Sequence, residues 1–214
     1  MTFKVCCIAG IAEAELAIAH GAAALGLVSA MPSGPGVIDE ATIREVAAWA
    51  PAHIRTFLLT SRTDPHAIAA QVREAGVDTV QLVDALPVGA HAVLRRALPG
   101  IRIVQVVHVR DEDSVREAIA LAPSVDELLL DSGDPTREVK ELGGTGRVHD
   151  WSRSRRIVAE SGVPVWLAGG LRAENAAAAI AAVRPHGLDV CSGVREQGRL
   201  SVARLSGFAR ALRG

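Results

Sequence analysis

Two side chains stand out as candidates for proton-transfer chemistry. Cys6 lies in the apolar run KVCCI, and Asp131 closes another, ELLLDS. A thiolate can remove a proton and a protonated carboxyl can donate one, provided their surroundings push the two pKa values apart. Each residue also has an ordinary reading. A strand cysteine is commonly a small buried hydrophobe, and a strand-end aspartate commonly caps the following turn. Successive strand side chains face opposite sides. Cys6 and Cys7 are therefore expected to do different jobs, with Cys7 packing against an outer helical layer. Cys191, next to another strand end, reads as packing rather than chemistry.

Three glycine-bearing segments could serve an anion. GGTG occupies 143–146, AGG 168–170 and CSGV 191–194. Glycine lets the backbone approach a phosphate closely, and N–H groups at a helix start can hold it. The candidates are Gly144, Gly169, Gly170, Ser192 and Gly193. Singly, each segment could merely turn the chain. No lysine-bearing phosphate loop and no dinucleotide fingerprint is present.

The elements that must position these groups follow from hydrophobic patterning. Strand-like runs occur at 3–8, 24–29, 55–60, 79–83, 101–107, 127–132, 163–169 and 188–193. Alanine-rich helical stretches separate them. Gly21 ends the first, Asp39 caps EATIREVAAW, and Asp64 with Pro65 opens the helix that Gly76 closes. Further helices are expected near 88–98, 112–121, 152–161, 173–183 and 202–212. Eight strand–helix units predict a (β/α)₈ TIM barrel as one domain over 1–214. A doubly wound open sheet is the competing arrangement. In a barrel, active-site groups sit at the C-terminal ends of the strands, with phosphate sites recurring after strands seven and eight. Cys6, Asp131, Gly169 and Ser192 all fall at or near such ends.

Composition narrows the function classes. Lys and Arg total 23 against 24 Asp and Glu, a net charge of −1 that suits neither a nucleic-acid nor an anionic-membrane surface. Three Phe, three Trp and no Tyr leave little for stacking bases. Three cysteines give no disulfide framework, and no Cys/His cluster suggests a metal site. There is no basic segment followed by a long apolar one, and no run long enough to span a bilayer. A reduced, cytoplasmic setting is expected.

Taken in order, the segments resemble the phosphoribosylanthranilate isomerase family of tryptophan biosynthesis. The likeness runs through KVCCI, VQL at 80–82, LLLDS at 128–132, GGTG, DW at 150–151, LAGGL at 167–171 and LDVCSGV at 188–194. It implies a barrel isomerase of a phosphorylated small molecule, needing no cofactor and no metal, as monomer or homodimer. It implies Cys6 as general base and Asp131 as general acid. Gly169, Gly170, Ser192 and Gly193 fall in the phosphate region, with Gly144 in GGTG and Lys4 as a further binding candidate.

The sequence also departs from that pattern. Cys7 stands where the family has glycine, and Ala9 where it has threonine. The loop after strand two, AMPSGPGVID at 30–39, lacks the arginine that binds the anthranilate carboxylate in the family. Thr60 replaces an asparagine, Val83 a histidine, Arg195 an acidic residue, and Arg199-Leu200 a Lys-Asp pair. Arg62, after strand three, is the nearest candidate for a compensating cation, since Arg55 starts that strand and so lies at the wrong end. Two alternatives stay open: a barrel acting on another phosphorylated sugar derivative, and a non-catalytic phosphometabolite binder.

Overall fold

The apolar runs pair side by side as parallel strands, and the alanine-rich runs coil over their outer face. The computed structural model describes residues 1–133 and 149–213. The strands are β1 (Thr2–Val5), β2 (Ala24–Val28), β3 (Arg55–Thr60), β4 (Thr79–Leu82), β5 (Arg102–His108), β6 (Glu127–Asp131), β7 (Val165–Leu167) and β8 (Gly187–Val190). They close in sequence order, β1 pairing with both β2 and β8. The helices are α1 (Ile11–Ala19), α2 (Glu40–Trp49), α3 (Pro65–Ala75), α4 (Ala90–Ala97), α5 (Glu112–Leu121), α6 (Trp151–Glu160), α7 (Ala173–Val183) and α8 (Val202–Ala211). This is a (β/α)₈ TIM barrel. A short hairpin, β9 (Arg195–Glu196) and β10 (Arg199–Leu200), follows β8 and was not expected from the sequence. The GGTG segment, and Gly144 with it, lies outside the described residues.

Local chemistry sets the helix ends. Asp39 accepts from the Thr42 N–H at 2.7 Å and Asp64 from the Ala67 N–H at 2.8 Å, both as caps. Gly76 ends α3 in the left-handed region at φ 68°, which glycine adopts without steric cost. Several strands are shorter than the apolar runs. β1 stops at Val5, so Cys6 and Cys7 lie beyond the regular strand. Among the described residues no helix is long and apolar enough to cross a membrane.

Strand alternation builds two cores. Val5, Leu25, Leu27, Leu58 and Leu130 pack outward against the helices. Ala24, Val28, Phe57, Val104, Leu129 and Trp166 fill the interior. The interior is closed at the strand N-termini by buried Glu127. It accepts from Arg55 Nη1 at 2.8 Å, Arg102 Nη1 at 3.3 Å and Trp166 Nε1 at 2.6 Å. Gly187 makes room for this indole, since a Cβ there would lie 2.6 Å from the ring. Arg55 thus belongs to the closed end, as its place at the start of β3 implies.

Replacing Glu127 with alanine removes the acceptor of the indole N–H and of Arg55 Nη1, leaving the guanidinium only its bond to Thr79 Oγ1 at 3.1 Å. The expected loss is about 3–5 kcal/mol, as for breaking a buried pair from one side. Glu127→Gln, which keeps an acceptor, should lose less. Urea unfolding of the two variants measures this, and a loss under about 1 kcal/mol for alanine would contradict this role for Glu127.

Candidate active site

Above the Glu127 cluster, a second set of inward-facing polar groups lies in the middle of the barrel. Lys4 and Asp189 are register partners on β1 and β8. The fully buried Lys4 ammonium donates to Asp189 Oδ2 at 2.7 Å and to Gln81 Oε1 at 3.0 Å. Burial would lower the Lys4 pKa, but the Asp189 carboxylate together with the neighbouring Cys6 and Cys7 sulfurs outweighs it, and the net direction is upward. Gly26 on β2 gives this group its space. A Cβ there would lie 3.0 Å from Lys4 Cε and 3.0 Å from Cys6 Cα.

Above this layer a cleft opens at the strand C-termini. Cys6, Asp131, Gly169, Gly170 and Ser192 all line it. Lys4 does not, so its charge lies behind the wall. Asp189 does line the cleft, and its Oδ1 is buried without a hydrogen-bond partner. A carboxylate oxygen in that position is a ready acceptor for a ligand hydroxyl or amine.

Asp131 is 9% exposed. Burial pushes its pKa up, while the hydrogen bond from the Ser132 N–H at 2.7 Å and the charge of His108 pull it partly back. The net direction is upward, so the carboxyl keeps its proton to higher pH than a solvated one. That is the behaviour a proton donor needs. His108 is the register neighbour of Asp131 on β5 and has a buried Nδ1 with no partner.

Cys7 overturns an expectation. Its backbone sits in the left-handed region at φ 64°, which breaks strand alternation and turns the side chain toward the mouth rather than the helical layer. There it lines the cleft beside Cys6, with the two sulfurs 3.7 Å apart. For a non-glycine residue this backbone costs about 1–2 kcal/mol. Cys191 also faces the cleft, its sulfur 2.9 Å from that of Cys7. The segment is tied down by Arg195 from the β9–β10 hairpin. Its guanidinium donates to the Cys6 and Cys7 carbonyl oxygens and pairs with Glu13 at 2.9 Å. Glu13 in turn accepts from the N–H groups of Ala9 and Leu200.

The glycine turns follow β7 and β8, on the side of the barrel next to β1. Gly169 and Gly170 have φ of 87° and 61°, so this turn requires glycine-like freedom. Gly193 does not line the cleft. A Cβ there would fall 1.9 Å from the Leu171 carbonyl oxygen, so its bare backbone lets the turns after β7 and β8 touch. The sequence-derived candidates thus sort into cleft groups (Cys6, Asp131, Gly169, Gly170, Ser192) and supporting groups (Lys4, Gly193).

Residues 3–210 match the family model for N-(5'-phosphoribosyl)anthranilate (PRA) isomerase. The chain belongs to the PRA isomerase family. It is 36% identical over 197 residues to N-(5'-phosphoribosyl)anthranilate isomerase 2 of Methanosarcina mazei, covering 92% of this chain and 86% of that protein. It is 35% identical over 211 residues to the isomerase of Halobacterium salinarum, covering 97% and 94%. The crystal structure of phosphoribosyl anthranilate isomerase from Thermotoga maritima superposes with a TM-score of 0.86 at 25% identity, covering 100% of this chain and 99% of that one. The Thermus thermophilus structure gives 0.83 at 26% identity, covering 100% and 98%.

The geometry explains one departure from the PRA isomerase pattern. A left-handed backbone at position 7 is what glycine accommodates freely, and this chain places a thiol there instead. Gly36 adapts to it, since a Cβ there would lie 2.3 Å from Cys7 Cβ. The β2–α2 loop lies over the same thiol, with Met31, Ser33, Gly34 and Pro35 lining the cleft. Among the described residues, no arginine or lysine lines it. Arg62 is exposed and off the cleft wall. Sequence reasoning missed Asp189, Cys191 and Arg195. For Asp189 a signal was available: a lone carboxylate three residues before the SGV segment, on an otherwise apolar strand.

Proposed function

We propose that the chain catalyses the Amadori rearrangement of N-(5-phosphoribosyl)anthranilate to 1-(2-carboxyphenylamino)-1-deoxyribulose 5-phosphate. Protonated Asp131 gives its proton to the ribose ring oxygen as the C1–O bond breaks and the nitrogen lone pair forms the imine. The Cys6 thiolate removes the proton from C2, and the electron pair moves to give an enolamine. Tautomerisation of the enolamine, with proton return to C1, gives the ketone product. Asp189 Oδ1 accepts from a sugar hydroxyl, and the Gly169–Gly170 and Ser192 turns hold the phosphate with backbone N–H groups. Lys4, charged and behind the wall, shares the strand parity of Cys6. The observation that carries this reading is that Cys6 and Asp131 share one cleft with the glycine turns.

A second reading is favoured by the cleft's lack of a cation among the described residues. It assigns the same acid, base and phosphate turns to another phosphorylated sugar derivative. The two separate on substrate binding. A missing charge-assisted contact to the anthranilate carboxylate costs about 1.5–3 kcal/mol, roughly a tenfold to hundredfold rise in KM. The expected result is measurable turnover of phosphoribosylanthranilate in a fluorescence assay, with KM raised by that factor over a family member carrying the arginine. Ribose 5-phosphate should shift the backbone amides of Gly169, Gly170 and Ser192. Shifts there without turnover transfer the assignment to another phosphosugar, and shifts confined to the opposite rim reject the phosphate placement.

A further inference from the structure

We propose that Cys7 and Cys191 are a redox pair that forms a reversible disulfide across the mouth of the barrel. The two residues are 184 positions apart, yet their sulfurs lie 2.9 Å from each other. They extend from the ends of β1 and β8, which are adjacent in the barrel. Val5 and Val190 are register partners, and the Cys6 N–H donates to the Val190 carbonyl at 2.9 Å. A disulfide needs its sulfurs about 2.0 Å apart. The remaining approach is under an ångström, on a backbone that the barrel already holds. The unfavourable left-handed backbone of Cys7 supports the same conclusion. The position suits glycine, and what the thiol gains there is this contact.

The surroundings also assign the order of events. Cys191 is the more exposed of the two. Its hydrogen bond with Cys7 holds its thiol low against the effect of burial, and the Arg195 charge acts in the same direction. It is therefore the thiolate that meets the oxidant. With hydrogen peroxide, the Cys191 sulfur attacks one oxygen, the O–O bond breaks, and the departing hydroxide takes a proton to become water. Cys191 is now a sulfenic acid. The Cys7 sulfur then attacks the Cys191 sulfur. The S–S bond forms, the S–O bond breaks, and the hydroxide leaves with the Cys7 proton as a second water. Two thiols and one peroxide give one disulfide and two waters, and a dithiol reductant reverses the change. Cys6, 3.7 Å from Cys7, is left out. Adjacent cysteines rarely meet the geometry of a bridge. Since Cys7 follows Cys6 and Cys191 precedes Ser192, the bond fixes the spacing between those two neighbours.

The test uses the full chain, reduced with dithiothreitol, desalted and treated with a few equivalents of hydrogen peroxide. After blocking of residual thiols and proteolysis, mass spectrometry should find one linked peptide pair lacking two hydrogens. The link should be present in the parent and in Cys6→Ser, absent in Cys7→Ser and in Cys191→Ser, and lost on return to dithiothreitol. Thermal unfolding adds an independent reading. Joining positions 184 apart restricts the unfolded chain strongly, so the oxidised parent should melt higher than the reduced one, with no such gain in Cys191→Ser. No linked pair, a link that survives in Cys7→Ser through Cys6, or a link only between two chains would overturn the proposal. So would an unchanged or lower melting midpoint, because it would mean that the bond distorts a mouth the proposal holds to be set for it. None of these readings requires a substrate, so they stand or fall apart from the isomerase assignment.

Discussion

Replacing Asp131 with asparagine will lower turnover by about 10²–10⁴-fold, the range associated with loss of a general acid. The amide has nearly the shape of the carboxyl, and its oxygen can still accept from the Ser132 N–H, now at 2.7 Å. The substitution therefore removes the proton without dismantling the turn. Stability should move the other way. Burial raises the Asp131 pKa, so ionisation is harder in the folded chain than in the unfolded one. Below the ordinary carboxylate range both states are protonated and nothing is lost. As pH rises through the folded value, the unfolded state has released its proton more readily and the fold loses stability. Asparagine has no proton to release. The variant should thus unfold at higher urea than the parent at pH 8, with that advantage disappearing in acid. The parent's turnover should also fall with rising pH as Asp131 ionises, and this limb should vanish from whatever activity the variant keeps. An Asp131→Asn protein with near-parental turnover would remove Asp131 from the mechanism.

The barrel is legible in the sequence because its signals are local. EATIREVAAW and PHAIAAQVREA carry their own periodicity and their own start signals, and AENAAAAIAAV its alanine-rich run; α2, α3 and α7 occupy those stretches. Asp39 and Asp64 announce their roles as caps within three residues of the groups they bind. The placement of Cys6 and Asp131 on one cleft follows from strand parity once the strands are assigned. What could not be read depends on register or on a single dihedral. A period of two assumes extended backbone, and φ 64° at Cys7 ends that assumption one residue after Cys6. The Lys4–Asp189 pair and the Cys7–Cys191 contact need β8 to close against β1, which no local pattern states. Arg195 looks like a lost acidic residue in the sequence. In the structure it is the group that fastens the Cys6–Cys7 segment to Glu13 and the hairpin.

The second large effect is expected at Cys6 and depends on telling it from its neighbour. Two thiols line the cleft side by side, and either could have been the base on distance alone. Their surroundings differ. The hydrogen bonds of Cys7 with Cys191 and Cys6, together with burial, push its thiol far up and keep it protonated. Cys6 instead shares strand parity with Lys4, whose charge is in turn strengthened by the field of that sulfur. Cys6→Ser should therefore lose about 10²–10⁴-fold in turnover, because a serine hydroxyl at neutral pH is no substitute for a thiolate base. The replacement fits, since oxygen is smaller than sulfur in a site where even a Cβ on Gly26 would come within 3.1 Å of Cys6 Sγ. Cys7→Ser removes a thiol that holds its proton, so its turnover should fall far less. Measuring kcat for the two variants side by side, with circular dichroism to confirm folding, decides the matter. If Cys6→Ser kept turnover within about threefold of the parent while Cys7→Ser lost it, the base would be Cys7. The left-handed turn that carries Cys7 into the mouth would then be catalytic geometry rather than the setting for a disulfide.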